Sequence, residues 1–300
     1  MSAPSNSERA DSSASEAQAT SAASNPTSVS TRARHVRDFL QGSLLRHVLT
    51  FGSPLVLGMG FVALFNLIDI FIVGRLPNSH EAVAIVSICD ALVTLFVVLV
   101  TGVGNAAAAL IARAIGTRDA EGARTVATQS LLITGVMSLF VFLAGAFASE
   151  TILSMLGVDP ASQLFAVGVG YLQVALMGGF TMLFVVQMTS ILRGIGNSTW
   201  PTFVLVLVNT LNILFAIVLV LGPESGVDFG WGWGAIGAAW AALYARCVGF
   251  AICLAIFTVG IGRHCVHRTL REWLPVAPML RALLWIGLPS SGQLIVRVGA

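Results

Sequence analysis

Apolar positions along this chain do not alternate with polar ones at a short period. They gather into long blocks at about 50–74, 83–112, 125–148, 164–190, 200–222 and 235–260, with a seventh opening near Ala282. Roughly twenty apolar residues in a helix cross the hydrocarbon core of a bilayer, so each block predicts a transmembrane α-helix. The longer blocks predict tilt or extension beyond the membrane. Ahead of them, Val36–His47 carries Arg37 and Arg46 and reads as an amphipathic stretch at the membrane surface. Residues 1–35 are rich in Ser and Ala and lack the apolar core of a signal peptide, which predicts a disordered cytoplasmic tail.

The polar break at 262–281 holds Pro275, Pro278 and several charges, and it reads as a cytoplasmic linker. Residues 36–261 are then a six-helix lobe, and 282–300 start a second one. Phe51-Gly52-Ser53-Pro54 opens the first block and Ile286-Gly287-Leu288-Pro289 the seventh, 235 positions later. Such an echo fits the repeated halves of transporters. The expected fold is all-α and polytopic: a six-helix N-lobe followed by the start of a second lobe, truncated in helix 7.

Composition excludes a soluble domain. Hydrophobic residues make up 56% of the chain and charged ones 10%, with a mean hydropathy of +0.87, against about 25% charged residues for a soluble domain. Charge adds orientation. Arg32, Arg34, Arg37, Arg46, Arg113, Arg118, Arg124, Arg193, Arg263, Arg268, Arg271 and Arg281 fall on one side of the blocks and Arg75 alone on the other. Positive residues stay inside, so the N-terminus is expected in the cytoplasm and the protein in the cell inner (plasma) membrane, multi-pass. The lipid bilayer is its surrounding partner, and no nucleic acid is expected. All sixteen basic residues are arginine, which fits a codon bias. Cys89, Cys247, Cys253 and Cys265 predict no disulfide, and His264-Cys265-Val266-His267 lacks further ligands for a metal.

Candidate chemistry is confined to a few polar positions inside the blocks. Asp69 is the only ionisable residue between Phe51 and Gly74, and a carboxylate at membrane depth costs roughly 2.5–3.5 kcal/mol. Asn66 lies three residues before it, on the same helix face. Asn209 and Asn212 repeat this spacing in the fifth block and are packing residues or part of the same polar interior. Gln173, Gln187, Thr189 and Ser190 in the fourth block are candidates for a cavity wall. Asp90, Arg246 and Arg297 are further intramembrane charges that need partners. Gly232-Trp233-Gly234-Ala235-Ile236-Gly237 spells a dinucleotide fingerprint but lacks the preceding strand, while Gly234, Ala238 and Ala242 make a small-residue helix face. No histidine sits mid-span, and an enzyme is not expected.

Taken in order, several stretches resemble the multidrug and toxic compound extrusion (MATE) family of efflux transporters. They are Pro54 with Asp69-Ile70-Phe71-Ile72-Val73-Gly74-Arg75, Gly102-Val103-Gly104-Asn105-Ala106-Ala107 and Ile111-Ala112-Arg113-Ala114-Ile115-Gly116. Further on come Leu192-Arg193-Gly194-Ile195-Gly196-Asn197 with Pro201, Asn212-Ile213-Leu214 and Gly234-Ala235-Ile236-Gly237-Ala238-Ala239. The resemblance covers roughly residues 45–300.

The resemblance implies two six-helix bundles alternating between inward- and outward-facing states, exporting organic cations against protons or Na+, with no other cofactor and as a monomer. Asp69 then takes the place of the coupling carboxylate, Asn212 that of its fifth-helix amide partner, and Pro54 that of the helix bend. Gln187, Ser190, Asp90 and Arg297 are expected around the substrate cavity. Ala216, Ala242 and Arg297 stand where some members carry an acid, a threonine and an acid, which favours protons over sodium. A lipid-linked oligosaccharide flippase of the same superfamily is the alternative, disfavoured by the scarcity of arginine in the lobe.

Overall fold

A computed structural model describes residues 79–221, 230–259 and 273–299, together with positions 52, 53, 56, 58, 60, 61, 63–65, 67, 68, 70–72 and 74. The tail, the amphipathic stretch, the His264–His267 motif and the loops at 222–229 and 260–272 lie outside the described residues. Residues 48–300 form one compact unit.

Eight helices follow one another in the continuous stretches: α1 Ser79–Gly116, α2 Ala120–Phe147, α3 Ser149–Met155, α4 Gln163–Met177, α5 Gly179–Gly194, α6 Thr199–Val220, α7 Gly234–Thr258 and α8 Ala277–Gly299. The described positions between 52 and 72 are helical as well. Five helices are each long and apolar enough to cross a membrane, and the pair α4–α5 makes a sixth span if its halves count as one. The chain is therefore all-helical and multi-pass in the described residues, as the blocks predict.

Local chemistry sets the boundaries. Asp119 caps α2 by accepting the Gly122 N–H at 2.8 Å, and Ser162 caps α4 through the Phe165 N–H at 3.2 Å. Both satisfy donors that a helix start leaves orphaned. Gly196 ends α5 in the left-handed region at φ +86°. The Asn197 N–H then folds back on the Leu192 carbonyl at 3.0 Å, an arrangement that favours glycine. Asn197 Oδ1 in turn accepts the Trp200 N–H and starts α6.

Three corrections to the sequence reading follow. The fourth block is not one straight helix: α4 and α5 meet at Gly178–Gly179 with a 41° bend. A Cβ on Gly178 would lie 2.6 Å from Leu243 Cδ1, and one on Gly179 3.2 Å from Val141, so neighbours occupy the space that side chains would fill. α8 starts at Ala277, inside the segment expected as linker, because proline is tolerated in the first turn of a helix and Pro278 falls there. The close-packed face of α7 is not Gly234, Ala238 and Ala242. Ala241, Ala245, Gly249 and Cys253 are the buried row, and Gly249 meets Val208 of α6. Gly234 opens the helix at φ +60° with nothing near it.

The core is layered along the bundle. One cluster joins Ile85, Cys89, Val141, Leu153, Leu172 and Leu176 at the end where α1 begins. Another joins Ala107, Ile111, Ala127, Ile191, Leu192, Phe257 and Leu283 at the arginine-bearing end. Leu139, Phe140, Phe147 and Val136 stay exposed, as a hydrocarbon-facing surface requires.

Candidate functional site

The glycine-rich stretch of α1 makes two seams. A Cβ on Gly104 would meet Ser190 Oγ of α5 at 2.6 Å, and one on Gly194 would stand 2.8 Å from the Ala108 Cα. On the other side of α1, a Cβ on Gly102 would run into Ser291 Oγ and lie 2.6 Å from the Gly287 carbonyl of α8. Ser291 Oγ is within reach of the Leu99 carbonyl at 3.1 Å and of the Gly287 carbonyl at 3.0 Å. Asn105 Nδ2 donates to Ser290 Oγ at 3.4 Å. Small residues let these backbones approach, which is how helices associate where the solvent is itself apolar.

Near the other end of the bundle, a polar contact joins α1 and α4. Tyr171 of α4 donates its hydroxyl to Asp90 Oδ1 of α1 at 2.7 Å. Arg246 of α7 acts electrostatically on both residues. The Tyr171 ring is buried among apolar neighbours, while Asp90 itself is exposed. Tyr171 is thus a partner for Asp90 that the sequence left open. A hydrogen bond to a charged group contributes about 1.5–3 kcal/mol. A double-mutant cycle of Asp90→Asn and Tyr171→Phe, read by thermal unfolding in detergent, is therefore expected to show a coupling energy of about 1 kcal/mol or more.

Gln187 and Ser190, expected on a cavity wall, are instead fully buried in the α1–α5 seam. Gly104 brings the helices too close to leave an open wall there: its Cβ would stand 3.5 Å from Gln187 Oε1. Ser190 Oγ donates to the Val186 carbonyl at 2.9 Å and accepts Arg193 Nη2 at 2.8 Å. Both amide atoms of Gln187 lack a hydrogen-bond partner among the described residues. Gln173 lines an open, largely apolar groove of about 670 Å³ at the α4–α5 bend, with Ser138, Phe142, Phe180 and Trp240, rather than a polar cavity.

Asn209 and Asn212 lie three residues apart on α6, both half-buried. Asn209 Nδ2 donates to the Leu205 carbonyl of its own helix at 2.7 Å. Ala216 is buried in an apolar cluster with Ile72, Leu219 and Ala241. Asp69, Asn66 and Pro54 lie outside the described residues, as does the side chain of Arg297.

The match to known proteins rests on this helical region. The MatE family model fits residues 54–218, more than half of the chain. The chain belongs to the MatE family. Among curated relatives, the probable multidrug resistance protein YoeA of Bacillus subtilis is 25% identical over 259 residues, covering 85% of this chain and 54% of that protein. A solved structure described as "Crystal structure of MATE in complex with MaD3S" superposes with a TM-score of 0.74 at 28% identity, covering 84% of this chain and 54% of the other. A transporter of the MOP superfamily from Pyrococcus furiosus, described as having a binding pocket of reverse polarity, gives 0.71 at 28% identity, with 84% and 53% covered. The chain spans about half the length of the MatE relatives it matches.

Within this MatE region Gly102, Gly104 and Gly194 form the seams and Gly196 stops a helix. Tyr171 and Gln129 escaped the sequence reading. A tyrosine or a glutamine in a helix carries no pattern that names a partner, and theirs lie 81 and 145 to 147 residues away.

Proposed function

We propose that the protein serves in secondary active efflux, exporting organic cations in exchange for protons. Asp69 is the N-lobe coupling carboxylate, with Asn66 beside it and Asn212 and Asn209 as amide partners on α6. The observation that carries this is the MatE match over residues 54–218, a stretch in which Asp69 is the one ionisable residue of the first apolar block. A group that cycles between charged and neutral suits a proton-driven step, and the apolar packing of Ala216 leaves fewer oxygens for a Na+ shell, which takes several. Two acids, Asp69 and Asp90, suit a positively charged substrate better than an anion.

On this reading the chain contributes the N-lobe and the first helix of the second lobe, in the plasma membrane and as a monomer. The test is export of ethidium from proteoliposomes under an imposed proton or sodium gradient. Ethidium is expected to follow the proton gradient and to ignore sodium. A response to sodium alone overturns the choice of ion, and no response to either gradient overturns antiport.

A further inference from the structure

Gln129 stands in the third turn of α2 and is wholly buried. Both ends of its amide are used. Nε2 donates to the Leu274 carbonyl at 2.8 Å, and Oε1 accepts the Val276 N–H at 3.2 Å. These two backbone groups flank Pro275, which has no N–H of its own and favours an extended residue before it. In extended backbone, the carbonyl of one residue and the N–H two positions on point the same way. One primary amide therefore matches the pair as a neighbouring strand would.

The matched segment leads directly into α8. The Val276 carbonyl accepts the N–H groups of Met279 and Leu280, both at 3.0 Å, so fixing Val276 fixes the first turn of α8. Beyond it, α8 lies on α1 through Gly102, Gly287 and Ser291, a seam of small residues. Beside its first turns is open space, a groove of about 330 Å³ lined by Pro278, Arg281, Ala282 and Trp285. A buried, bidentate amide contact is either made or broken, and a shift of the start of α8 relative to α2 has to break it.

We propose that Gln129 is a positioning residue that clamps the start of α8 to α2, and that this clamp opens whenever α8 moves against α1–α7. The clamp stands on geometry alone. Its part in a transport cycle rests on the efflux reading above.

Hydrogen exchange on the whole chain in lipid nanodiscs tests the clamp directly. In Gln129→Leu, which keeps the volume and removes both bonds, exchange in the peptide containing Val276 is expected to rise about tenfold, with α7 unchanged as a folding control. Gln129→Glu, which keeps an acceptor and loses the donor, is expected to lie between the two and serves if the leucine variant does not fold. Unchanged exchange at Val276 overturns the clamp. For the cycle, both variants should change the maximal rate of ethidium export by about threefold or more while leaving KM unmoved, because the site that meets the cation is untouched. Raised exchange with an unaltered maximal rate overturns the role in the cycle. If the wild-type chain moves no ethidium under any gradient, the efflux reading fails, and the exchange result still decides the clamp.

Discussion

Asp69→Asn is expected to abolish gradient-driven export and, at the same time, to make the protein more stable. The two effects have one cause. An asparagine keeps the size and hydrogen-bonding reach of the side chain but exists in a single charge state. A coupling group has to release one ligand when it takes another, and a group that never changes charge cannot link the proton gradient to the substrate. Export above the passive leak should therefore vanish. Yet the ionised carboxylate costs roughly 2.5–3.5 kcal/mol at membrane depth, so replacing it relieves part of that cost and raises the thermal midpoint in detergent. Opposite signs on activity and stability separate a working acid from a structural one. Normal export by the variant sinks the coupling assignment, and a lowered midpoint means that Asp69 is held in an ion pair that supports the fold.

The second large effect is steric. Gly102→Ala is expected to destabilise the protein by roughly 1–3 kcal/mol, the usual cost of forcing a methyl into a filled site. Its Cβ would meet the Gly287 carbonyl at 2.6 Å and the Ser291 nitrogen at 2.8 Å, and backbone atoms cannot turn aside as a side chain can. Either α8 shifts off α1 or the variant unfolds at lower temperature. Gly116→Ala, on the same helix, provides the contrast. Nothing lies within 4 Å of a Cβ there, and alanine favours a helix over glycine by about 1 kcal/mol, so this change should be neutral or stabilising. Thermal unfolding of the two variants side by side decides the matter. Equal midpoints would mean that the α1–α8 seam does not bear load.

Much of the site could be read in advance as position, little of it as contact. Asp90 and Arg246 were recognisable as charges at membrane depth because hydrocarbon makes any charge conspicuous. That Tyr171 supplies the hydroxyl for Asp90 could not be read, since a tyrosine in an apolar run is ordinary packing until its neighbour is known. Gln187 and Ser190 stand out in the sequence as polar residues in an apolar block, which points to a cavity wall. Their wall was misplaced, because the decisive fact is the missing side chain at Gly104 on another helix. Nothing in the sequence marks Gln129, although it holds the start of α8.

Within the described residues, the sequence by itself determined roughly where the long apolar helices lie and which end of the bundle bears most of the arginines. Those are local matters: each apolar residue adds its own transfer free energy, and a run of sufficient length is sufficient. The tertiary structure decided the bend at Gly178–Gly179, the two seams on α1, the Asp90–Tyr171 contact and the Gln129 contact. Each depends on which helix faces which. Between helices in an apolar solvent, that choice is made by close approach at small residues and by single polar pairs. A linear pattern of hydrophobicity carries neither.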